Sequence, residues 1–355
     1  MHYPFRNLVF EGGGVKGIAY AGALEVLNKE GILDHISRVG GTSAGAITAT
    51  LIGLGYSPRD IRRLLLRLSF RTFLDDSWGV FRDADRLLHD FGWYKGETFR
   101  KWIGDLIARK TGSADSTFAD LAHNDKCKDL YFIGTNLSTG LAEVFSFEHT
   151  PDLRVADAVR ISMSIPFFFR ARRNQHDDVL VDGGVLDNYP IKLFDRRTYV
   201  DDPTHVREPG YYGKANEDLD THEHYVYNQQ TLGFRLDSRE QIAFFRHGAV
   251  PPRHTIDDLF DYAGRLVKTL MTFQENQHLH SDDWHRTVYI NTLGVGTTDF
   301  DLGKDKKKEL IAEGKKGTES YLSWYNNAEE AERPHNRPAR NGGLKGDASS
   351  AGEIR

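Results

Sequence analysis

The sequence predicts an α/β fold in which a central, mostly parallel β-sheet is sandwiched between layers of helices. Residues 5–10 form a short apolar run that leads into a glycine-rich turn, and apolar side chains then recur at helical spacing from Val15 to Leu27. Residues 36–40 form a second short run, which also leads into a tight turn and a helix. This order of strand, loop, helix and strand is typical of a βαβ unit, whose two strands run parallel.

The composition limits the classes of function. The 355-residue chain is 39% hydrophobic, which is enough for a sizeable core, and its net charge of −5 gives no global nucleic-acid-binding surface, so we expect no nucleic-acid partner. The single cysteine, Cys127, excludes an internal disulfide and suits a reducing compartment, so we expect a cytoplasmic protein. No apolar run approaches the ~20 residues that span a bilayer. We therefore expect any membrane contact to be peripheral.

Residues 1–330 are predicted to form a single domain. Within it, about residues 199–230 are polar, charged and rich in turn residues, and are predicted to be a surface insertion. His222 and His224 lie there without a partner set at metal-ligand spacing, so we expect no metal site. Residues 331–355 have almost nothing apolar to bury and are predicted to be a disordered tail.

Further elements follow from apolar spacing and from the residues that start and stop helices. Asp152 is predicted to cap a helix that continues through Ile161, and Pro166 to end it. The other predicted helices cover about residues 44–54, 58–68, 99–107, 117–121, 256–271 and 310–324, and the other predicted strands cover residues 130–135, 141–147, 179–181, 231–236 and 288–290.

Gly41-x-Ser43-x-Gly45 has the form of a nucleophile elbow, a tight turn between a strand and a helix. Such a turn holds its serine in strained backbone geometry, and a Cβ at the flanking glycines would collide with the neighbouring strand and helix. The hydroxyl then stands at a helix N-terminus, where backbone N–H groups favour negative charge. Taken alone, the pattern is equally typical of an ordinary serine-containing turn.

Two interpretations compete for the glycine loop after the first strand. Gly12-x-Gly14-x-x-Gly17 fits the dinucleotide-binding fingerprint, but that site also requires an acidic residue at the end of the second strand. Asp34 lies at about the right distance yet precedes that strand, whose end carries Ser43 instead. Consecutive glycines can also turn several backbone N–H groups toward one anion, and beside a serine nucleophile such a group is an oxyanion hole. We favour the oxyanion interpretation.

A carboxylate follows another predicted strand. Asp182-Gly183-Gly184 comes directly after residues 179–181, and the end of a strand is where α/β enzymes place catalytic groups, although Asp-Gly is also a very common turn. An aspartate at its ordinary pKa of about 3.9 is ionised at neutral pH and accepts hydrogen bonds, and partial desolvation would make it a stronger base. The 15 histidines also leave a Ser-His-Asp triad open, with His254 or His278 as the histidine.

In their order and context, the glycine loop, the Ser43 elbow and Asp182-Gly183-Gly184 resemble the motifs of the patatin-like phospholipase family. The resemblance covers roughly residues 5–236 and includes the Ser-x-x-x-Pro pattern of residues 162–166, although Glu11 stands where many members have aspartate. It implies a three-layer patatin-like catalytic domain and a Ser–Asp dyad rather than a triad. In that dyad Ser43 is the nucleophile and Asp182 is the base that accepts its proton.

The resemblance also implies an oxyanion hole and no metal or organic cofactor. Its donors would be the backbone N–H groups of Gly12, Gly13, Gly14 and Ala44. The glycines implied to support the motifs are Gly17, Gly41, Gly45, Gly183 and Gly184.

We therefore expect a lipid acyl hydrolase of the phospholipase A type, which cleaves acyl esters of phospholipids through an acyl-enzyme on Ser43. Its partners would be an acyl lipid substrate and, peripherally, a membrane. Three alternatives stay open: a nucleotide-binding regulatory protein that uses the glycine loop, a catalytically silent membrane-binding module, and an acyltransferase or general esterase.

Overall fold

The computed structural model describes residues 3–74, 91–237, 255–257, 262, 265, 266, 269, 270 and 281–327. Its strands are β1 (Asn7–Phe10), β2 (Arg38–Thr42), β3 (Gly92–Tyr94), β4 (Asp129–Asn136), β5 (Leu141–Phe145), β6 (Phe167–Phe169), β7 (Arg172–Arg173), β8 (Val179–Asp182), β9 (Val206–Arg207), β10 (Tyr227–Asn228), β11 (Thr231–Asp237) and β12 (Thr287–Asn291). Its α-helices are α1 (Tyr20–Lys29), α2 (Ala44–Gly53), α3 (Pro58–Arg67), α4 (Glu97–Thr111), α5 (Phe118–Ala122), α6 (Val155–Ser162), α7 (Gly213–Asn216) and α8 (Lys304–Asn326).

The main sheet has eight strands in the order β12-β11-β1-β2-β4-β8-β7, with β5 also paired to β4. The five strands from β12 to β4 are parallel neighbours. The remaining pairs, β4 with β5, β4 with β8 and β8 with β7, are antiparallel. The predicted α/β class with a mostly parallel sheet is therefore confirmed.

β2 and β8 share one edge of β4, because β5 pairs with residues 132–136 and fills the other edge. Along the shared edge, Thr42 at the end of β2 lies opposite Ile133. Asp182 at the end of β8 lies opposite the next residue, Gly134. The ends of β2 and β8 therefore meet, and the turn that follows β2 lies beside Asp182.

The two faces of the sheet are covered by different parts of the chain. Side chains alternate along β1, so that Leu8 and Phe10 join the main core, which contains buried apolar side chains of α1, α2, α4, α6 and α8. Val9 points to the other face and packs in a separate cluster with Tyr131 and Phe194. The sheet is thus a middle layer, as predicted, with the long helices on the face of Leu8.

The segment at residues 199–230 was predicted to be a surface insertion, and this was wrong for its two ends. The Tyr199 ring lies 5.5 Å from the ring of Phe194 and 5.9 Å from that of Tyr131, on the second face of the sheet. Val226 and Tyr227 are buried. The apolar side chains at both ends cover the sheet, and only the middle of the segment is mostly exposed.

The starts of two helices differ in how far local sequence sets them. Ser57 caps α3 by accepting a hydrogen bond from the N–H of Asp60 at 3.2 Å. The prediction that Asp152 caps α6 was wrong. That helix begins after Arg154 without a side-chain cap, and the N–H of Val155 donates to the carbonyl oxygen of Ser116 at 3.0 Å instead. A tertiary hydrogen bond has taken the place of the local cap.

Some predictions fall outside the described residues, namely the disordered tail at residues 331–355 and most of the helix at residues 256–271. Three described members of the apolar stripe predicted for that helix, Ile256, Leu266 and Leu270, are 52%, 47% and 44% exposed. In the part of the chain that the structure describes, no helix is long and apolar enough to cross a membrane.

Candidate active site

Ser43 stands in the turn between β2 and α2 with φ 53° and ψ −121°, a conformation that residues other than glycine rarely adopt. A Cβ on Gly41 would lie 2.6 Å from the carbonyl carbon of Gly45, and a Cβ on Gly45 would lie 2.2 Å from the carbonyl oxygen of Phe10. Neither contact is sterically allowed. The turn therefore has the strained backbone and the two obligatory glycines that the elbow motif predicts.

Two residues at the end of α6 contact Ser43. The N–H of Ser43 donates to Oγ of Ser162 at 2.9 Å, and its hydroxyl donates to Sδ of Met163 at 3.5 Å. A thioether is a weak acceptor, so this second contact holds the hydroxyl only loosely. Ser43 is 2% exposed and Met163 5% exposed, and the hydroxyl is therefore covered in this conformation.

Asp182 is 1% exposed and lies beside the elbow. Its Oδ1 accepts a hydrogen bond from the N–H of Gly184 at 2.8 Å, whereas its Oδ2 is buried without a hydrogen-bond partner among the described residues. Burial raises the pKa of Asp182 to about 7, although the Gly184 N–H and the Ser43 hydroxyl both act to lower it. The carboxylate thus keeps one oxygen available for a proton or a donor.

A second aspartate, Asp187, follows on the same loop. Burial raises its pKa to about 7 as well, and its carbonyl oxygen accepts a hydrogen bond from Oγ1 of Thr42 at 2.9 Å. The loop itself is closely packed, since a Cβ on Gly183 would lie 2.3 Å from the carbonyl oxygen of Ile133. This packing fixes the backbone between Asp182 and Asp187.

The glycine loop lies against the same loop. The N–H of Gly12 donates to the carbonyl oxygen of Asn188 at 2.9 Å, and Nδ2 of Asn188 donates to the carbonyl oxygen of Gly12 at 3.3 Å. The N–H predicted as an oxyanion donor at Gly12 is therefore engaged. Within the described ranges, the N–H groups of Gly13, Gly14 and Ala44 make no hydrogen bond to the protein.

The glycine loop is anchored at both of its ends. At the first, the Glu11 carboxylate accepts a hydrogen bond from the N–H of Leu236 and lies 3.9 Å from Nε of the buried Arg235. At the second, a Cβ on Gly17 would lie 2.8 Å from Cβ of Ala44, so the segment after the loop packs directly on the start of α2. These contacts hold the loop next to the Ser43 elbow.

The structure also bears on the alternative sites. Asp34 lies in the 3₁₀-helix Ile32–His35, ahead of β2, so Ser43 occupies the position where a dinucleotide site needs its acidic residue. His254 and His278, the candidates for a triad, lie outside the described residues. No group of three or more His, Cys, Asp or Glu side chains in the described ranges is placed to hold a metal ion.

Sequence reasoning did not assign roles to Ser162, Met163 or Asn188. The first two belong to the Ser-x-x-x-Pro region and the third to the Asn-Tyr-Pro segment after Asp182, so their types and positions were visible. Their contacts join segments that are 119 to 176 residues apart in the chain. Spacing within one motif cannot reveal such pairs.

Known proteins resemble this chain in fold and in sequence. The crystal structure of VipD from Legionella pneumophila matches with a TM-score of 0.54 and 20% identity, over 90% of this chain and 67% of that one, which is a likeness of fold. The Bacillus subtilis protein YqhO is 32% identical over 327 residues, which are 88% of this chain and 97% of YqhO. The probable lipid hydrolase 463L of invertebrate iridescent virus 6 is 27% identical over 190 residues, 53% of this chain and 63% of that protein.

The family assignment rests on the part of the chain that contains the elbow, the glycine loop and Asp182. Residues 8–195 match the model of the patatin-like phospholipases. That match spans more than half of the 355 residues. The chain therefore belongs to the patatin-like phospholipase family.

Proposed function

We propose that the chain is a phospholipase A-type lipid acyl hydrolase in which Ser43 is the nucleophile and Asp182 is the base. The observation that carries this proposal is the shared edge of β4, where Thr42 and Asp182 lie opposite consecutive residues. This register brings a strained serine next to a buried carboxylate. With a pKa of about 7, Asp182 is partly ionised near neutral pH and is a stronger base than an ordinary aspartate.

In the proposed reaction, Oγ of Ser43 attacks the ester carbonyl carbon while Oδ2 of Asp182 accepts the hydroxyl proton. The bond to the leaving alcohol then breaks, and the proton passes from Asp182 to that alcohol. A water molecule attacks the resulting acyl-enzyme and gives a proton to Asp182. The fatty acid leaves as Ser43 recovers its proton from Asp182. The absence of a hydrogen bond to Oδ2 among the described residues supports its use as the acceptor.

We assign the oxyanion hole to the N–H groups of Gly13, Gly14 and Ala44, which have no acceptor in the described chain. Donors that are fixed before the reaction stabilise the developing negative charge without reorganisation. We assign Gly12 a positioning role, because its N–H is bound to Asn188. No metal or organic cofactor enters these steps.

The proposed substrate is the acyl ester of a phospholipid. Membership of the family supports this, and so does the description of the iridescent virus relative as a probable lipid hydrolase. Because Ser43 is only 2% exposed, Met163 has to move before an ester reaches the hydroxyl. We propose that peripheral contact with a membrane delivers the lipid.

Intact mass after treatment with a lipid-like fluorophosphonate tests the dyad directly. We expect a single adduct on the wild-type chain, none on Ser43→Ala, and much slower labelling of Asp182→Asn. Asp187→Asn is the matched control, because Asp187 is on the same loop and its pKa is also about 7. An adduct that persists in Ser43→Ala would overturn the assignment.

The products formed from phospholipid vesicles then separate the remaining functions. Fatty-acid release that requires Ser43 supports a hydrolase, whereas transfer of the acyl group to an added alcohol in preference to water indicates an acyltransferase. Vesicle binding with neither adduct nor fatty acid indicates a silent membrane module. Dinucleotide binding that survives Ser43→Ala, without esterase activity, indicates the nucleotide-binding alternative.

A further inference from the structure

The end of α6 contacts both members of the proposed dyad. Oγ of Ser162 accepts a hydrogen bond from the N–H of Ser43 at 2.9 Å, and the carbonyl oxygen of Ser164 accepts one from the N–H of Asp182 at 2.9 Å. Ser162 and Ser164 are both 0% exposed. Because they are only two residues apart, one short segment, residues 162–164, holds the backbone of the nucleophile and that of the base.

The sheet does not hold Ser43 directly. β2 ends at Thr42, which lies opposite Ile133 of β4, and Ser43 is the residue after that end. Its φ of 53° is strained, and such a conformation persists only where the surroundings determine it. The hydroxyl of Ser162 supplies a buried acceptor at this position, and its loss would deprive the Ser43 N–H of that partner. Ser162 therefore stabilises the strained conformation of Ser43.

Arg160 fixes the 162–164 segment in place. Its Nη1 donates to Oγ of Ser164 at 2.6 Å, and that hydroxyl donates to the carbonyl oxygen of Arg160 at 2.9 Å. The same guanidinium donates from Nε to the carbonyl oxygen of Gly96 at 3.0 Å, and from Nη2 to those of Lys95 at 2.7 Å and Arg170 at 3.1 Å. A guanidinium suits this use because its planar shape holds several donors in fixed directions. The end of α6 is thereby tied to the chain before α4 and after β6.

The guanidinium of Arg160 is closely packed. Arg160 is 1% exposed, and its Cζ lies 5.5 Å from the ring centroid of Phe169. A Cβ on Gly96 would lie 2.3 Å from Nε of Arg160, so only a residue without a side chain leaves room for it. Gly96 also has a φ of 69°, which favours glycine. These contacts leave Arg160 little freedom to move, and they set the position of Ser164 accordingly.

We propose that Ser162 is a positioning residue for the reaction of Ser43, held in its place by Arg160 and Ser164. The inference rests on the proposed function, because a fixed spacing between Ser43 and Asp182 matters only if a proton passes between them. It also gives a role to the Ser-x-x-x-Pro pattern of residues 162–166, whose first serine is the acceptor. Ser162 neither attacks the ester nor takes the proton, and it acts through the backbone of Ser43.

Fluorophosphonate labelling and steady-state kinetics with a soluble ester test this role. Ser162→Ala leaves the Ser43 N–H without its acceptor, so we expect the labelling rate and kcat to fall about tenfold, with KM within twofold. Ser162→Cys keeps most of the volume, but sulfur is a weak acceptor, so we expect it to behave like Ser162→Ala. A serine that only filled space would be replaced by cysteine without loss of rate.

Ser146→Ala is the matched control. Ser146 is also buried, at 1% exposure, and its Oγ is hydrogen-bonded with Nδ1 of His149 at 2.8 Å. It follows β5, on the edge of β4 away from β2. We expect Ser146→Ala and Ser162→Ala to lower the melting temperature by similar amounts, and Ser146→Ala to keep the wild-type labelling rate.

Hydrogen exchange of the Ser43 amide, followed by mass spectrometry, reports the contact without any chemistry at Ser43. We expect faster exchange in Ser162→Ala than in the wild type, and no change in Ser146→Ala. If the wild type takes no label while exchange in Ser162→Ala is faster, the proposed function is wrong and the hold of Ser162 on the elbow stands. The inference itself is wrong if a labelled wild type is matched in rate by Ser162→Ala or Ser162→Cys, or if exchange at Ser43 is the same in both alanine variants.

Discussion

Gly12 and Asn188 hold each other through two hydrogen bonds, from the N–H of Gly12 to the carbonyl oxygen of Asn188 at 2.9 Å and from Nδ2 of Asn188 to the carbonyl oxygen of Gly12 at 3.3 Å. A Cβ on Gly12 would lie 2.3 Å from Oδ1 of Asn188 and 3.2 Å from Cβ of Ser43. The pair thus joins the glycine loop to the loop that starts at Asp182, immediately beside the elbow.

The first prediction concerns this pair. Asn188→Ala removes one hydrogen bond to the glycine loop and keeps the backbone one, so we expect kcat for a soluble ester to fall about five- to tenfold, as for the loss of about 1 kcal/mol, with KM within twofold. Steady-state kinetics check this, with Asn124→Ala, in the turn before β4, as the control. A raised KM with unchanged kcat would mean that Asn188 contacts substrate and does not position the loop.

The second prediction is a pH profile. Because burial raises the pKa of Asp182 to about 7, the carboxylate is protonated below that pH and cannot accept the Ser43 proton. We expect kcat/KM to rise with pH through a midpoint of about 7. Asp187→Asn should keep this midpoint, although the pKa of Asp187 is also about 7. A midpoint near the ordinary aspartate value of about 4 would contradict the assignment.

The third prediction concerns the cover over the nucleophile. Sδ of Met163 accepts a hydrogen bond from the Ser43 hydroxyl at 3.5 Å, and Met163 is itself buried. We expect Met163→Ala to speed fluorophosphonate labelling of Ser43 several-fold, and Met163→Leu, which retains most of the volume, to stay close to the wild type. Intact mass spectrometry of samples quenched at successive times gives the labelling rates. Slower labelling of Met163→Ala would show that the thioether orients the hydroxyl productively.

The fourth prediction tests the steric basis of the elbow. A Cβ on Gly45 would lie 2.2 Å from a backbone oxygen, so we expect Gly45→Ala to lower the free energy of unfolding by about 3 kcal/mol or more. Gly213→Ala is the control, since nothing lies within 4 Å of a Cβ there. Urea unfolding of both variants measures the difference, and equal stabilities would refute the close packing of α2 on β1.

The fifth prediction concerns Arg286, which is buried between Asp195 and Asp283. Asp195→Ala removes the two hydrogen bonds that Asp195 accepts from Arg286 and leaves the pair with Asp283, so we expect a loss of about 3 kcal/mol in the free energy of unfolding. Asp301→Ala breaks the exposed pair with Arg71 and should cost less than about 1 kcal/mol. Thermal or urea unfolding compares the two. Similar losses of stability for the two variants would show that burial does not strengthen the interaction between Asp195 and Arg286.

What the sequence could predict was set by local geometry. The strand, glycine loop and helix of residues 7–29 follow from apolar spacing. The elbow at Ser43 follows from two nearby glycines, at each of which a Cβ would collide with the backbone. The fold class was predicted correctly for this reason. The roles of Ser43 and Asp182 stay predictions that the fluorophosphonate experiment tests.

What the sequence could not predict depends on pairs that are far apart in the chain. Nothing local shows that β8 continues along the edge of β4 where β2 ends, or that Ser162 binds the N–H of Ser43. The prediction for residues 199–230 failed because polar composition concealed a few apolar side chains, such as Tyr199, that cover the sheet. Asp152 failed as a cap because a distant carbonyl, that of Ser116, binds the first N–H of α6.

The raised pKa of Asp182 also has a consequence for selection. The folded chain holds this proton up to a pH of about 7, whereas the unfolded chain releases it near the ordinary value of 3.8, so the folded state loses stability as the pH rises between the two. Above that range it carries a buried, ionised carboxylate whose full unfavourable effect persists. Asp182 therefore destabilises the fold most at the pH values at which the proposed base is ionised. Replacement of Asp182 by asparagine would remove this contribution, so selection for stability alone disfavours the aspartate.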